Sequence, residues 1–377
     1  MADYRNINCM IVPTGLGASI GGFAGDANPA CKLLAKVSDL LITHPNVVNG
    51  AMFTDTPQNV AVVEGFFLDR FFAGQVALRL NVKHKIAVIV DCAANEEERT
   101  LTEACIEAAL EVYGLDIIQE VFYTKEAIEA NNLVQIKNPD TLLEACTRAK
   151  LAGATALAVL AVLDEDPNAE STKNYAASNG YDPIGLIEAK ISHLVAQMML
   201  IPCAHAPIIR KRSQEAKHYS SFTNVITKEE PVATQEKITL VSPKVAAEYL
   251  SNCFLASVLK TLQNSPQIIP MEAAHKLLSS DYTDSRELGL RQKADDVVIS
   301  QIANLVVPMD CCNGVPMIEA WKHEIELLCV KNNTTNLDEP ATMFGIPHKI
   351  VHNYIEAAGY LLANTKDKKY INPALFL

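Results

Sequence analysis

Short runs of uniformly apolar residues alternate along the chain with longer stretches whose apolar positions recur every three or four residues. INCMIVP (7–13), LLIT (40–43), KIAVIVDC (85–92), IIQEVF (117–122) and ALAVLAVL (156–163) are of strand length. The uniformly apolar runs among them lack solvent-facing alternation, which predicts strands covered on both faces. Helical periods occupy about 28–37, 95–114, 140–151 and 184–198. Asn28 is expected as the N-cap of the first, with Pro29 at its first helical position. The second is bounded by Asn95, a first turn of acids and Gly114. A further helix is expected to run from a Ser242 cap to about 261, and IELLCV, KIVHN and YIEAAGYLLA continue the pattern as two strands and a helix.

Strand and helix in alternation imply parallel pairing through right-handed crossovers, with ligands at the carboxyl ends of the strands. The expected fold is α/β: two doubly wound, Rossmann-like lobes with mainly parallel sheets and a cleft between them. The chain turns polar after Lys211. Three parts are therefore expected: an N-terminal lobe over 1–210 carrying a glycine-rich loop, a linker or mobile loop over 211–240, and a C-terminal lobe over 241–377.

Composition narrows the class of partner. With 44 acidic against 32 basic residues, the net charge of −12 removes the phosphate attraction on which nucleic-acid binding rests. The cluster Arg210, Lys211, Arg212 is too short to reverse this. Ten cysteines without a Cys-x-x-Cys pair suggest a reducing compartment. The chain shows no leader pattern and no apolar run of about 18 residues, so a cytoplasmic protein without membrane contact is expected. Its length of 377 residues is compatible with self-association as a homo-oligomer.

Two segments suit an anionic guest. Thr14, Gly15, Gly17, Gly21 and Gly22 follow a strand and precede Asp26, where unhindered main-chain N–H groups and a helix amino terminus favour negative charge. The third glycine falls one position late for the dinucleotide fingerprint, and Gly-Lys-Ser/Thr is absent, so no cofactor is assigned. Asn313 and Gly314 form a second strand-to-helix turn of this kind, and Asn46 and Asn49 lie in the loop after the second strand. The expected partner is a small carboxylate- or phosphate-bearing metabolite.

His44, His193 and His205, with Glu188, are placed to meet at one rim and to exchange protons near neutral pH. Cys92 and Cys312 stand at strand ends in different lobes, as a two-base isomerase or racemase requires. Hydrolase or lyase chemistry, metal-dependent through the three histidines, is the alternative, although no metal-ligand spacing supports a metal. A non-catalytic metabolite-binding regulatory protein is the third expectation.

The segments VPTGLGASIGGFAGDANP, LITHPNVVNGA, IEAKISHLVAQMMLIPCAHAP and CNGVPMIEA together resemble a family of cyanobacterial and plastid proteins of unassigned function. The resemblance covers most of the chain. It implies a cytoplasmic or stromal protein and supplies no reaction.

Overall fold

The computed structural model describes residues 6–13, 27–48, 56–128, 130–131, 135–165, 169–176, 183–211, 254–271, 293 and 296–364. Six parallel strands form one sheet: β1 (Ile7–Met10), β2 (Leu40–Thr43), β3 (Val60–Val62), β12 (Ile302–Pro308), β14 (Glu326–Val330) and β16 (Lys349–Val351). Their order is β16-β14-β12-β1-β2-β3. A second parallel sheet has the order β10-β9-β5-β6, from β5 (Lys85–Val90), β6 (Asp116–Tyr123), β9 (Ala156–Glu165) and β10 (Cys203–Lys211). Three small ribbons complete the strands among the described residues. Two are antiparallel, β4 (Val76–Arg79) with β11 (Gln267–Pro270) and β7 (Ala130–Asn131) with β8 (Gln135–Ile136). The third is parallel, β13 (Asp310–Cys311) with β15 (Asn336–Glu339).

The expected α/β architecture with parallel sheets is what the chain adopts. The six-stranded sheet, however, is built from both ends of the described chain, and the four-stranded sheet from 85–211. A division near residue 211 therefore does not coincide with the division into sheets.

Because the main strands are apolar at nearly every position, each feeds two cores at once. Cys9, Ile42, Ala61, Leu305 and Cys329 of the first sheet, and Ile89, Val159 and Cys203 of the second, point into one shared central core. Their neighbours Met10, Leu41, Val306 and Leu328 face an outer layer with α1 (Asn28–Lys36), the short α2 (Pro45–Val48) and α10 (Tyr354–Ala363). Val88, Val90, Ala158 and Ala204 face the opposite outer layer with α4 (Glu96–Tyr113) and α8 (Phe254–Leu262). This division follows from the two-residue period of a pleated strand.

Where described, the space between the sheets is filled by α3 (Gly65–Phe72), α5 (Pro139–Leu151), α7 (Pro183–Met199) and α9 (Val315–Lys322). The remaining helix is α6 (Glu170–Ala176). Helix α3 is apolar on nearly all sides: Phe66, Phe67, Leu68, Phe71 and Phe72 are all buried. Each contributes about 1.5–3 kcal/mol relative to an exposed side chain.

Several element ends have identifiable causes. Asn95 and Glu98 form a reciprocal capping box on α4, and Gly114 ends that helix in the left-handed region at φ 60°. Helix α1 is capped by Ala27, so Asn28 and Pro29 fall at its first two positions, one residue later in the cap scheme than expected. Strand β5 stops at Val90 because Asp91, with 0% exposure, turns its carboxylate into the structure. Asp91 Oδ1 accepts from the N–H groups of Ala93 at 3.0 Å and Ile128 at 3.2 Å, while Oδ2 accepts from Val162 N–H at 3.2 Å. One side chain thus ties the ends of β5 and β9 to the segment after β6. Asp91→Ala strands three N–H groups and is expected to destabilise the protein by about 3–5 kcal/mol in urea unfolding. Asp91→Asn, which keeps one acceptor, should cost less.

Candidate functional site

The first sheet reverses its winding between β1 and β12. After β1 the chain passes to α1 on the outer face, and after β12 it passes to α9 on the inner face. The connections that leave these adjacent, paired strands therefore diverge to opposite faces, the arrangement that leaves a crevice in open α/β sheets.

The segment after β2 fixes one side of this crevice. Thr43 Oγ1 donates to the Met10 carbonyl at 2.9 Å, and Asn46 Nδ2 donates to the Val12 carbonyl at 2.8 Å. Val12 N–H donates to His44 Nε2 at 3.0 Å. Both main-chain groups of Val12 are thus held by side chains of one tetrapeptide. Since Nε2 accepts, the His44 ring is neutral with its proton on Nδ1. Burial lowers its pKa to about 4.

On the β12 side, Cys312 N–H donates to the Glu339 carbonyl at 2.7 Å, and Asn313 Nδ2 donates to Glu339 Oε1 at 2.8 Å. Asn313 Oδ1 accepts from Gly314 N–H at 2.7 Å. Gly314 has φ 101°, where a side chain would be strained, and it opens α9 with no side-chain cap. The turn therefore presents the amino end of α9 with the Glu339 carboxylate held by an amide hydrogen bond.

At the end of β3, Glu64 caps α3: its Oε2 accepts from Phe66 N–H at 2.7 Å. Its Oε1 lies 3.7 Å from His193 Nδ1 on α7. The bond to Glu64 raises the His193 pKa, an effect that burial opposes and Asp69 reinforces. The His193 ring meets Phe66 edge-on at 5.4 Å, and the Arg70 guanidinium lies 5.0 Å from the same ring. Arg70 is oriented by Gln75 Oε1, which accepts from it at 2.7 Å. Burial raises the pKa of Asp69.

His205 sits on the other side of α7. Its Nδ1 shares a 2.8 Å hydrogen bond with Ser192 Oγ, and burial lowers its pKa to about 4. Glu188 is buried on α7 one turn before Ser192.

Of the residues expected to form a site, Thr14, Gly15, Gly17, Gly21, Gly22, Asp26 and Asn49 lie outside the described residues. His44 and Asn46 meet at Val12, whereas His193 and His205 make separate contacts. Among the described residues no three His, Cys, Asp or Glu side chains gather as metal ligands, so His44, His193 and His205 form no such set. The two-thiol scheme also needs correction. Cys92 lies past the end of β5 in the four-stranded sheet, its N–H donating to Thr124 Oγ1 at 2.9 Å. Cys312 has 0% exposure within the central core, where no substrate carbon reaches it. Glu64, Phe66, Asp69 and Arg70 were not anticipated. The signal was a Glu immediately before a phenylalanine-rich helix interrupted by one Asp-Arg pair.

Two expected outcomes follow from these titrations. In an NMR titration His193 should show a midpoint above 6.5, and Glu64→Gln, which keeps the cap acceptor, should lower it. Stability should fall as pH drops from 6.5 toward 4, because the unfolded chain binds protons that folded His44 and His205 refuse. His193 acts in the opposite sense, its contribution being lost as pH rises through its raised pKa. His44→Gln, a non-titrating acceptor for Val12 N–H, should flatten the acid slope of the unfolding free energy.

The model of a family described as protein of unknown function, DUF3326, matches residues 7–374. An uncharacterised lipoprotein of Synechococcus sp. is 33% identical over 361 residues, covering 94% of this chain and 89% of its own. No solved structure matches. The name of that relative overturns the expected cytoplasmic placement, since a lipoprotein is a membrane-anchored class, and it lends nothing to the expected isomerase and hydrolase classes. No helix among the described residues is long and apolar enough to cross a membrane. The resemblance read from the sequence motifs is correct at the level of the family: the chain belongs to the DUF3326 proteins of unknown function.

Proposed function

We propose that the protein binds a small carboxylate- or phosphate-bearing metabolite at the carboxyl edge of the six-stranded sheet and releases it chemically unchanged. The observation that carries this reading is the reversal of winding between β1 and β12. It sets the exit of β1, held by His44 and Asn46, beside the uncapped amino end of α9. Two strands further along, about 10 Å away at the usual strand spacing, His193 and Arg70 add positive charge on the Phe66 ring. A guest with two polar ends fits that separation.

Binding is favoured over turnover by how the reactive groups are used. His44 is committed as a neutral acceptor to the backbone, His205 is bonded to Ser192, and Cys312 is enclosed. These groups fix the edge before a guest arrives, which lowers the ordering cost of binding.

Thermal shift and calorimetry with a panel of small carboxylates and phosphates test the reading. One chemical class should raise the melting temperature saturably and be recovered intact. Asn313→Ala and His193→Gln should each weaken binding by about tenfold, equivalent to about 1.4 kcal/mol. Affinity should decline as pH rises through the raised His193 pKa, and this dependence should vanish in His193→Gln. A flat response across the panel, or conversion of the ligand, overturns the proposal.

A further inference from the structure

The central core contains a thiol pair that the proposed ligand site leaves unused. Cys312 lies in the turn between β13 and α9, Cys329 lies within β14, and both have 0% exposure. Their sulfur atoms are 3.5 Å apart although the residues are 17 positions apart in sequence. Cys312 Sγ also donates to the carbonyl oxygens of Met309 at 3.4 Å and Pro308 at 3.7 Å.

We propose that Cys312 and Cys329 are a redox modification site, closing into a reversible disulfide on exposure to a peroxide. The sulfurs are already in contact, and a bond of about 2.05 Å requires an approach of about 1.5 Å. Cys329 is held on both flanks, opposite Val307 of β12 and Ile350 of β16. Cys312 lies outside the two main sheets, in the turn after a two-residue strand. The hydrogen bond between the two thiols lowers the Cys312 pKa and raises that of Cys329, which favours Cys312 over Cys329 as the attacking sulfur.

The chemistry balances with a small oxidant suited to an enclosed site. Cys312 thiolate attacks one peroxide oxygen, breaking the O–O bond and giving a sulfenic acid and hydroxide, which takes up the proton that Cys312 released. Cys329 sulfur then attacks Cys312 Sγ, its proton leaving with the sulfenic hydroxyl as water. Two thiols and one hydrogen peroxide become one disulfide and two waters. The product ties the entry of α9 to β14 and closes a loop of the unfolded chain, so the melting temperature rises.

The test uses the full chain treated with stoichiometric hydrogen peroxide, then denatured, alkylated and digested with trypsin. Cleavage after Lys322 separates the two cysteines. The expected result is a loss of two hydrogens in intact mass and a cross-link between the peptides carrying Cys312 and Cys329, both reversed by a reductant. In Cys329→Ser a sulfenic-acid trap should label Cys312, and in Cys312→Ser neither product should form. Recovery of both wild-type cysteines as free thiols, or their linkage to other cysteines, overturns the proposal without reference to either variant.

Discussion

The pairing of β1 with β12 joins the two ends of the described chain, and the rest of the molecule depends on it. Ile7–Met10 runs parallel to Ile302–Pro308, with a register shift between Ile7 and Asn8. Just past that shift, Asn304 Nδ2 donates to Asn8 Oδ1 at 2.8 Å, and Asn8 Nδ2 donates in turn to Ser38 Oγ at 2.9 Å and Asn6 Oδ1 at 3.1 Å. All four residues are buried. A one-residue slip would leave these amides facing apolar neighbours and send the core-facing side chains to the wrong layer. A satisfied polar ladder in an otherwise apolar sheet therefore fixes register where hydrophobicity alone does not.

That register has consequences at both ends of the strands. It aligns the side chains that enter the shared central core, including Cys9 beside Leu305. It also sets which loops meet at the carboxyl edge. The clamp on Val12 and the Asn313–Gly314 turn belong to distant parts of the sequence, and the β1–β12 pairing puts the strands they follow side by side.

Much of the architecture was legible because strands buried on both faces write themselves as apolar runs, as in 85–92 and 156–163, and because α4 carries its own caps at Asn95 and Gly114. Strand order was not legible, since the apolar runs of β1, β12 and β14 are interchangeable in composition and nothing local says which pair. The phenylalanine-rich α3 gives little helical period to read, because only Asp69 and Arg70 interrupt its apolar positions. Among candidate site residues, His44 and Asn46 were legible as a loop after a strand, but their task of holding Val12 depends on a contact across more than thirty positions. Cys312 misled because a strand-end thiol looks the same in sequence whether it faces a crevice or a core.

The anion proposed for the carboxyl edge has to be reconciled with the net charge of −12. A carboxylate repels a guest only where its charge is uncompensated and nearby. Glu64 is spent on the amino end of α3 and on His193, whose proton it stabilises, and Glu339 is bonded to Asn313. Both of these carboxylates thus hold a donor in place. Glu64 raises the pKa of the half-exposed His193 ring, and the Arg70 guanidinium lies 5.0 Å from the Phe66 ring that His193 meets edge-on. The short-range field at this edge is set by the few groups within a Debye length, about 8 Å at physiological salt, and not by the net charge of the chain.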